Sequence, residues 1–190
     1  MKVIPQQTTG ARFAILLLAA VALAGCQPPP PAPPPAAPAP TVFETMNGTF
    51  TPLADKLWEL AGGLYSDAGE LDASALPDQQ WQQLASVAAT VQEVANALAA
   101  AQPVRVAPPG VKIQSEDAPE ALDAAAVQAL IDADPQGFRE ESLKLAAVAA
   151  DFITAAQQRD ASLADAASNR LNDTCTDCHA RFWYPEQTTP

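Results

Sequence analysis

From Thr41 onward the apolar residues recur every three or four positions, and no stretch carries the β-branched alternation of a strand. Phe43, Met46, Phe50, Leu53, Leu57, Leu60 and Leu64 form one stripe, which Gly48 and Pro52 are expected to kink or break near residues 48–52. Trp81, Leu84, Ala88, Val91, Ala95 and Leu98 form a second. A proline-rich loop over 103–109 follows, and then a short helix over about 119–133. Asp134 and Pro135 stand as N-cap and first-turn residue of a third long helix, striped by Phe138, Leu145, Val148, Phe152 and Ala156. Asp160 caps a fourth, which carries Leu163, Ala167 and Leu171 and stops before Pro185. Long amphipathic helices bury their stripes against one another, so the expected fold of 41–190 is all-α, an antiparallel four-helix bundle.

What precedes this domain has a different composition. Lys2 and Arg12 lead into the apolar run FAILLLAAVALAG, a basic segment followed by a core of signal-peptide length that is too short for a bilayer-spanning helix. Residues 1–25 therefore read as an export signal. The run ends in LAGC, which resembles the bacterial lipobox. That resemblance implies cleavage before Cys26 and lipidation of its thiol, the alternative being an ordinary secretory signal with Cys26 left as a spare thiol. After Cys26, the run QPPPPAPPPAAPAP cannot bury a core and favours extended polyproline II geometry, making 26–40 a lipidated anchor and tether reaching about 40 Å.

The residues able to bind metal or form disulfides are few: three cysteines, one histidine and two methionines. With Cys26 assigned to the anchor, Cys175, Cys178 and the sole histidine, His179, stand together as C-x-x-C-H on the fourth helix. At about 100° per residue, Cys178 lies about 60° to one side of Cys175 and His179 about 40° to the other, so all three project from one face within one turn. C-x-x-C-H is the attachment pattern of c-type haem, in which two thiols bond the vinyl groups and the adjacent imidazole binds iron. One haem c per chain follows, and the export signal sends the motif to the compartment where such haem is attached.

Three other uses of the motif compete. A structural zinc needs four ligands, and there is no second Cys/His cluster to complete a tetrahedron, while a catalytic zinc on three ligands and a water would expose its thiolates to oxidation in an exported protein. A thioredoxin-like C-x-x-C belongs at the start of a helix in a βαβ unit. A plain disulfide between Cys175 and Cys178 is the third.

An α-helical domain of this length with C-x-x-C-H on its final helix resembles the class II c-type cytochromes, cytochrome c′ and its low-spin relatives. The resemblance spans about 41–185, rests on the motif and on Phe182 three residues past the histidine, and is architectural elsewhere. The ending CHARFWYP is also similar to that of exported bacterial proteins of the same class. The family implies His179 as proximal iron ligand. It puts either a methionine or an apolar residue of the first helix opposite, giving a six-coordinate electron carrier or a five-coordinate protein that binds NO or CO. Met46, the one methionine left after signal removal, stands on the first stripe as the candidate distal ligand or as an ordinary core residue. Two positions depart from the family pattern: Val42 stands where low-spin members often carry an arginine, and Trp183 where cytochrome c′ commonly has a basic residue. Trp183 and Tyr184 either shield the proximal side or plug the bundle end, and Arg181 either pairs with a haem propionate or is solvated. Trp58 and Trp81 read as core or rim residues.

Loss of residues 1–25, which contain Lys2 and Arg12 but no acid, takes the formal net charge from −12 to −14. Such a surface disfavours nucleic acid and suits a basic redox partner. The acidic residues read as solvated helix faces, and the only histidine is taken, so no Ser/His/Asp set is available. The expected role is that of a non-enzymatic, membrane-anchored, periplasm-facing one-electron carrier with protein redox partners. Gas binding and a haem-free structural lipoprotein are the alternatives, and both monomer and homodimer are open. Gln27 lacks the aspartate that retains some lipoproteins at the inner membrane, which leans toward the outer one.

Overall fold

In a computed structural model of the protein, the described residues are 40–118 and 121–184. The export signal, Cys26 and the tether up to residue 39 lie outside them, as does Pro185. The described residues are all-α: α1 (Val42–Thr45), a π turn (Met46–Phe50), α2 (Thr51–Gly62), α3 (Asp78–Ala100), α4 (Ala124–Ala133), α5 (Pro135–Gln158) and α6 (Ala161–Phe182), with a short 3₁₀ turn at Ala73–Ala75. The one strand-like pairing among them is an isolated bridge between Tyr65 and Leu71. None of the described helices is long and apolar enough to cross a membrane.

The kink or break expected near residues 48–52 takes the form of a change of helical register. Pro52 has no N–H to give to the carbonyl of residue 48, and the N–H of Thr51 reaches five residues back to Met46 O. The backbone thus runs on from α1 through the π turn into α2, with Pro52 in the first turn of α2, where a missing donor costs nothing. Gly48 is exposed, and a β-carbon there would meet nothing, so no close approach explains it.

The caps follow the sequence closely. Asp134 accepts from Gly137 N at 2.9 Å with Pro135 beginning α5, and Asp160 accepts from Leu163 N at 3.0 Å to begin α6. The α5–α6 connection is only Arg159, in the left-handed region at φ 51°, and Asp160, so α6 folds back along α5. The short helix begins later than its expected start near 119, because Asp123 accepts from Ala126 N at 2.7 Å and so fixes the first turn of α4 at Ala124. At the other end, Thr41 and Glu44 form a capping box, and the N–H groups of Val42 and Phe43 donate to Arg105 O and Val106 O.

α3 packs along α5, α5 along α6, and α2 touches both α3 and α6. Their stripes meet in a main core that includes Trp81 and Phe50 and in which Leu57, Leu64, Leu84, Phe152 and Leu171 are each at most 1% exposed. A second core joins Val42, Val106, Ile113, Val127, Ile131, Phe138 and Phe182, uniting α1, α4, the connecting segment 101–118, the start of α5 and the end of α6. Gln128 laces α4 to that segment, accepting from Val106 N at 2.9 Å and donating to Val104 O at 3.0 Å. Met46 packs against both cores, Cys175 against the first and Cys178 against the second. The functional candidates therefore lie on the seam between two hydrophobic clusters.

Candidate functional site

At that seam a cleft with a cavity volume of about 150 Å³ opens between α6, the π turn with α2, and α5. Cys175, Cys178 and His179 come to it from α6 and Met46 from the π turn, so the four residues singled out in the domain line one cleft. Phe50, Ala54 and Leu145 make its walls apolar, and Trp58, 36% exposed, stands at its rim. Trp81, by contrast, is buried in the main core, its indole N–H donating to Ala73 O.

Both cysteines of the motif are partly buried free thiols. Burial raises the pKa of Cys175, and burial first, with the Glu141 carboxylate second, pushes that of Cys178 up to about 12 from an ordinary 9.0. Near neutral pH this leaves about a thousandfold less thiolate on Cys178 than on a free thiol. In the chain bearing no attached group, Cys178 is expected to alkylate with iodoacetamide about two to three orders of magnitude more slowly than a solvent-exposed cysteine. The rate should rise with pH, and mass spectrometry of quenched samples follows it. Alkylation as fast as that of a free thiol would mean that the cleft does not enclose it.

His179 keeps part of its surface in solvent, yet the protein around the imidazole removes enough water to lower its pKa. The ring is therefore neutral at physiological pH. It makes no hydrogen bond among the described residues and leans on Trp183, ring centroids 6.5 Å apart, so a ring nitrogen remains open to a metal. No three His, Cys, Asp or Glu side chains among the described residues converge on a single point that could hold a bare metal ion.

Glu141 departs from the reading of every acid as a solvated one. It is 5% exposed on α5 and lines the cleft. Its Oε1 accepts from Arg181 Nη1 at 3.1 Å and Lys144 Nζ at 3.0 Å, while Oε2 is buried without a partner. Arg181 also donates to Asp134 Oδ2 at 2.6 Å, so it is ion-paired and not purely solvated. Foremost the Gly137 N–H, and after it Arg181, hold the Asp134 carboxyl below its ordinary pKa. Gly137 makes this clamp possible, because a β-carbon there would fall on the guanidinium and on Asp134 Oδ2. Phe182 anchors the same turn of α6 by packing edge-on against Phe138, centroids 5.6 Å apart. α6 is thereby fixed in rotation at its C-terminal end, which aims the motif face at the cleft.

A second cavity, of about 250 Å³, adjoins the first; Met46, Thr51 and His179 line both. Cys175 and Cys178 line only the first, and Gln114, Ser115, Trp183 and Tyr184 only the second. Sequence reasoning missed Glu141, Gln114 and Ser115. Glu141 carries no local signal, being one more acid on a charged helix, and Gln114 and Ser115 stand in a connecting segment without periodicity.

The donor set suits a haem: two thiols and an imidazole on one helical turn, a thioether sulfur from another element, and apolar walls between them. No protein-family model, curated protein or solved structure matches the chain.

Proposed function

We propose that the chain is a c-type haem protein of the class II cytochrome type: a four-helix bundle, exported, lipid-anchored through Cys26 and facing the periplasm, that passes single electrons between protein partners. One observation carries this reading. Cys175, Cys178, His179 and Met46, about 130 residues apart at the extreme, line one apolar cleft, and Met46 and His179 also line the cavity beside it.

Bound there, haem supplies reversible one-electron chemistry at iron. The chain's own residues have separate tasks. Cys175 and Cys178 offer the thiols of the two thioethers. His179, neutral and unpartnered, offers an imidazole nitrogen, and Met46 offers sulfur from a different wall. Phe50, Ala54 and Leu145 keep water out, and the rim position of Trp58 puts an aromatic edge where a redox partner would approach. Glu141, Arg181 and Asp134 hold α6 in register so that these groups face one another. The π turn supports Met46 as ligand, since it brings residue 46 to the seam, where an unbroken α-helical register would rotate it relative to α2.

Two measurements test the proposal. The intact mass of the exported, mature protein is expected to exceed its chain and lipid by one haem, and an excess of lipid alone would overturn the reading. In the reduced protein a sharp α band is expected, and Met46→Ala should convert it to a high-spin spectrum that responds to CO. A spectrum unchanged by Met46→Ala would end the case for methionine ligation, and a CO-responsive high-spin spectrum in the unaltered protein would favour the five-coordinate, gas-binding form.

A further inference from the structure

The second cavity is more polar than the first, though apolar side chains such as Phe43 and Met46 still form part of its wall. Its lining includes six side-chain hydrogen-bond donors, from Asn47, Thr51, Gln114, Ser115, Trp183 and Tyr184, and no lysine or arginine among the described residues. Arg181, the cation nearest the motif in sequence, is committed to Glu141 and Asp134. The segment carrying Gln114 and Ser115 is tied in place: Ile113 is 3% exposed in the second core, its N–H donates to Glu116 Oε2 at 3.0 Å, and Ala118 N donates to Ser115 O at 2.8 Å.

Haem is amphipathic, with its vinyl groups and its two propionates on different edges of the macrocycle. The thiols that bond the vinyl groups line only the first cavity, and the two axial candidates form part of the wall that the cavities share. A haem held by Met46 and His179, with its vinyl edge at Cys175 and Cys178, would have its carboxylate edge on the side of the second cavity. Resting on the haem reading above, we propose that this cavity is the propionate site, and that it holds the carboxylates with the neutral donors of Gln114, Ser115 and their neighbours instead of with a cation.

Propionates held with no compensating cation among the described lining residues would favour the ferric state, so a positive charge introduced at residue 114 should raise the reduction potential. The experiment uses the haem-loaded, full-length protein. Gln114→Lys is compared with Gln102→Lys, an equal change of charge at a residue that lines neither cavity. Gln114→Lys is expected to shift the potential upward by about twice as much as Gln102→Lys, because Coulomb interaction falls with distance. In parallel, resonance Raman spectra of Gln114→Ala and Ser115→Ala, which add no charge and little strain, should shift the propionate bending bands and leave the thioether-linked vinyl region as it was. Equal potential shifts from the two lysines together with unmoved propionate bands would overturn the proposal while leaving the haem reading intact. An unaltered protein that carries no haem would overturn both.

Discussion

Replacing Cys175 and Cys178 together by alanine is expected to abolish covalent haem attachment, leaving the mass of the exported protein short by one haem. Each single replacement should leave haem held by the remaining thioether, with a shifted α band as one vinyl group is restored. The fold should survive all three changes. Both cysteines lie inside α6, where alanine is the better helix former, and neither is fully buried. Far-UV circular dichroism of the double variant checks that point, and intact mass after extraction with acidified solvent checks the linkage. A double variant that still carried a haem resistant to extraction would remove the assigned role from these two residues.

The largest expected loss of stability comes from Phe152→Ala. Phe152 is 0% exposed in the middle of α5, in the core that α3 and α6 also bury. Removing a fully enclosed aromatic ring forfeits its transfer free energy and leaves a cavity that rigid helices cannot close, at a cost of about 3–5 kcal/mol. Against a typical domain stability of about 5–15 kcal/mol this is a large fraction. Urea denaturation should show a lower midpoint at an unchanged slope. Leu143→Ala on the same helix is the control, since Leu143 is 40% exposed and its loss should move the midpoint little. Equal effects from the two would mean that α5 does not face the core as described.

Much of the helical layout was legible because its causes are local. Asp134 with Pro135, and Asp160, begin helices where their side chains can accept from a backbone N–H three residues on, and nothing distant is needed for that. Where a local cause had two outcomes, the sequence located the irregularity without fixing its form. Pro52 removes a donor whether the helix breaks or slips, and the packing of Phe50 into the main core and of Met46 against both cores accompanies the slip to a π turn. The late start of α4 had the same origin, since Asp123 and earlier residues of that segment offer similar capping chemistry and only one site is used.

The site divides along the same line. Spacing alone put Cys175, Cys178 and His179 on one face, because helical geometry repeats every turn whatever surrounds it. The count of residues alone made His179 the sole imidazole and Met46 the sole thioether of residues 41–190. Tertiary structure decided what that face looks into. It brought Met46 to the same cleft, turned Glu141 from a surface acid into a buried one, and engaged Arg181 with partners 40 and 47 residues away. It also brought Gln114 and Ser115 to a second cavity beside the motif, which no period could have linked to it. Contacts between distant segments depend on how the helices pack and on the clusters they bury together, and that information is spread over the whole domain and not written at any one position.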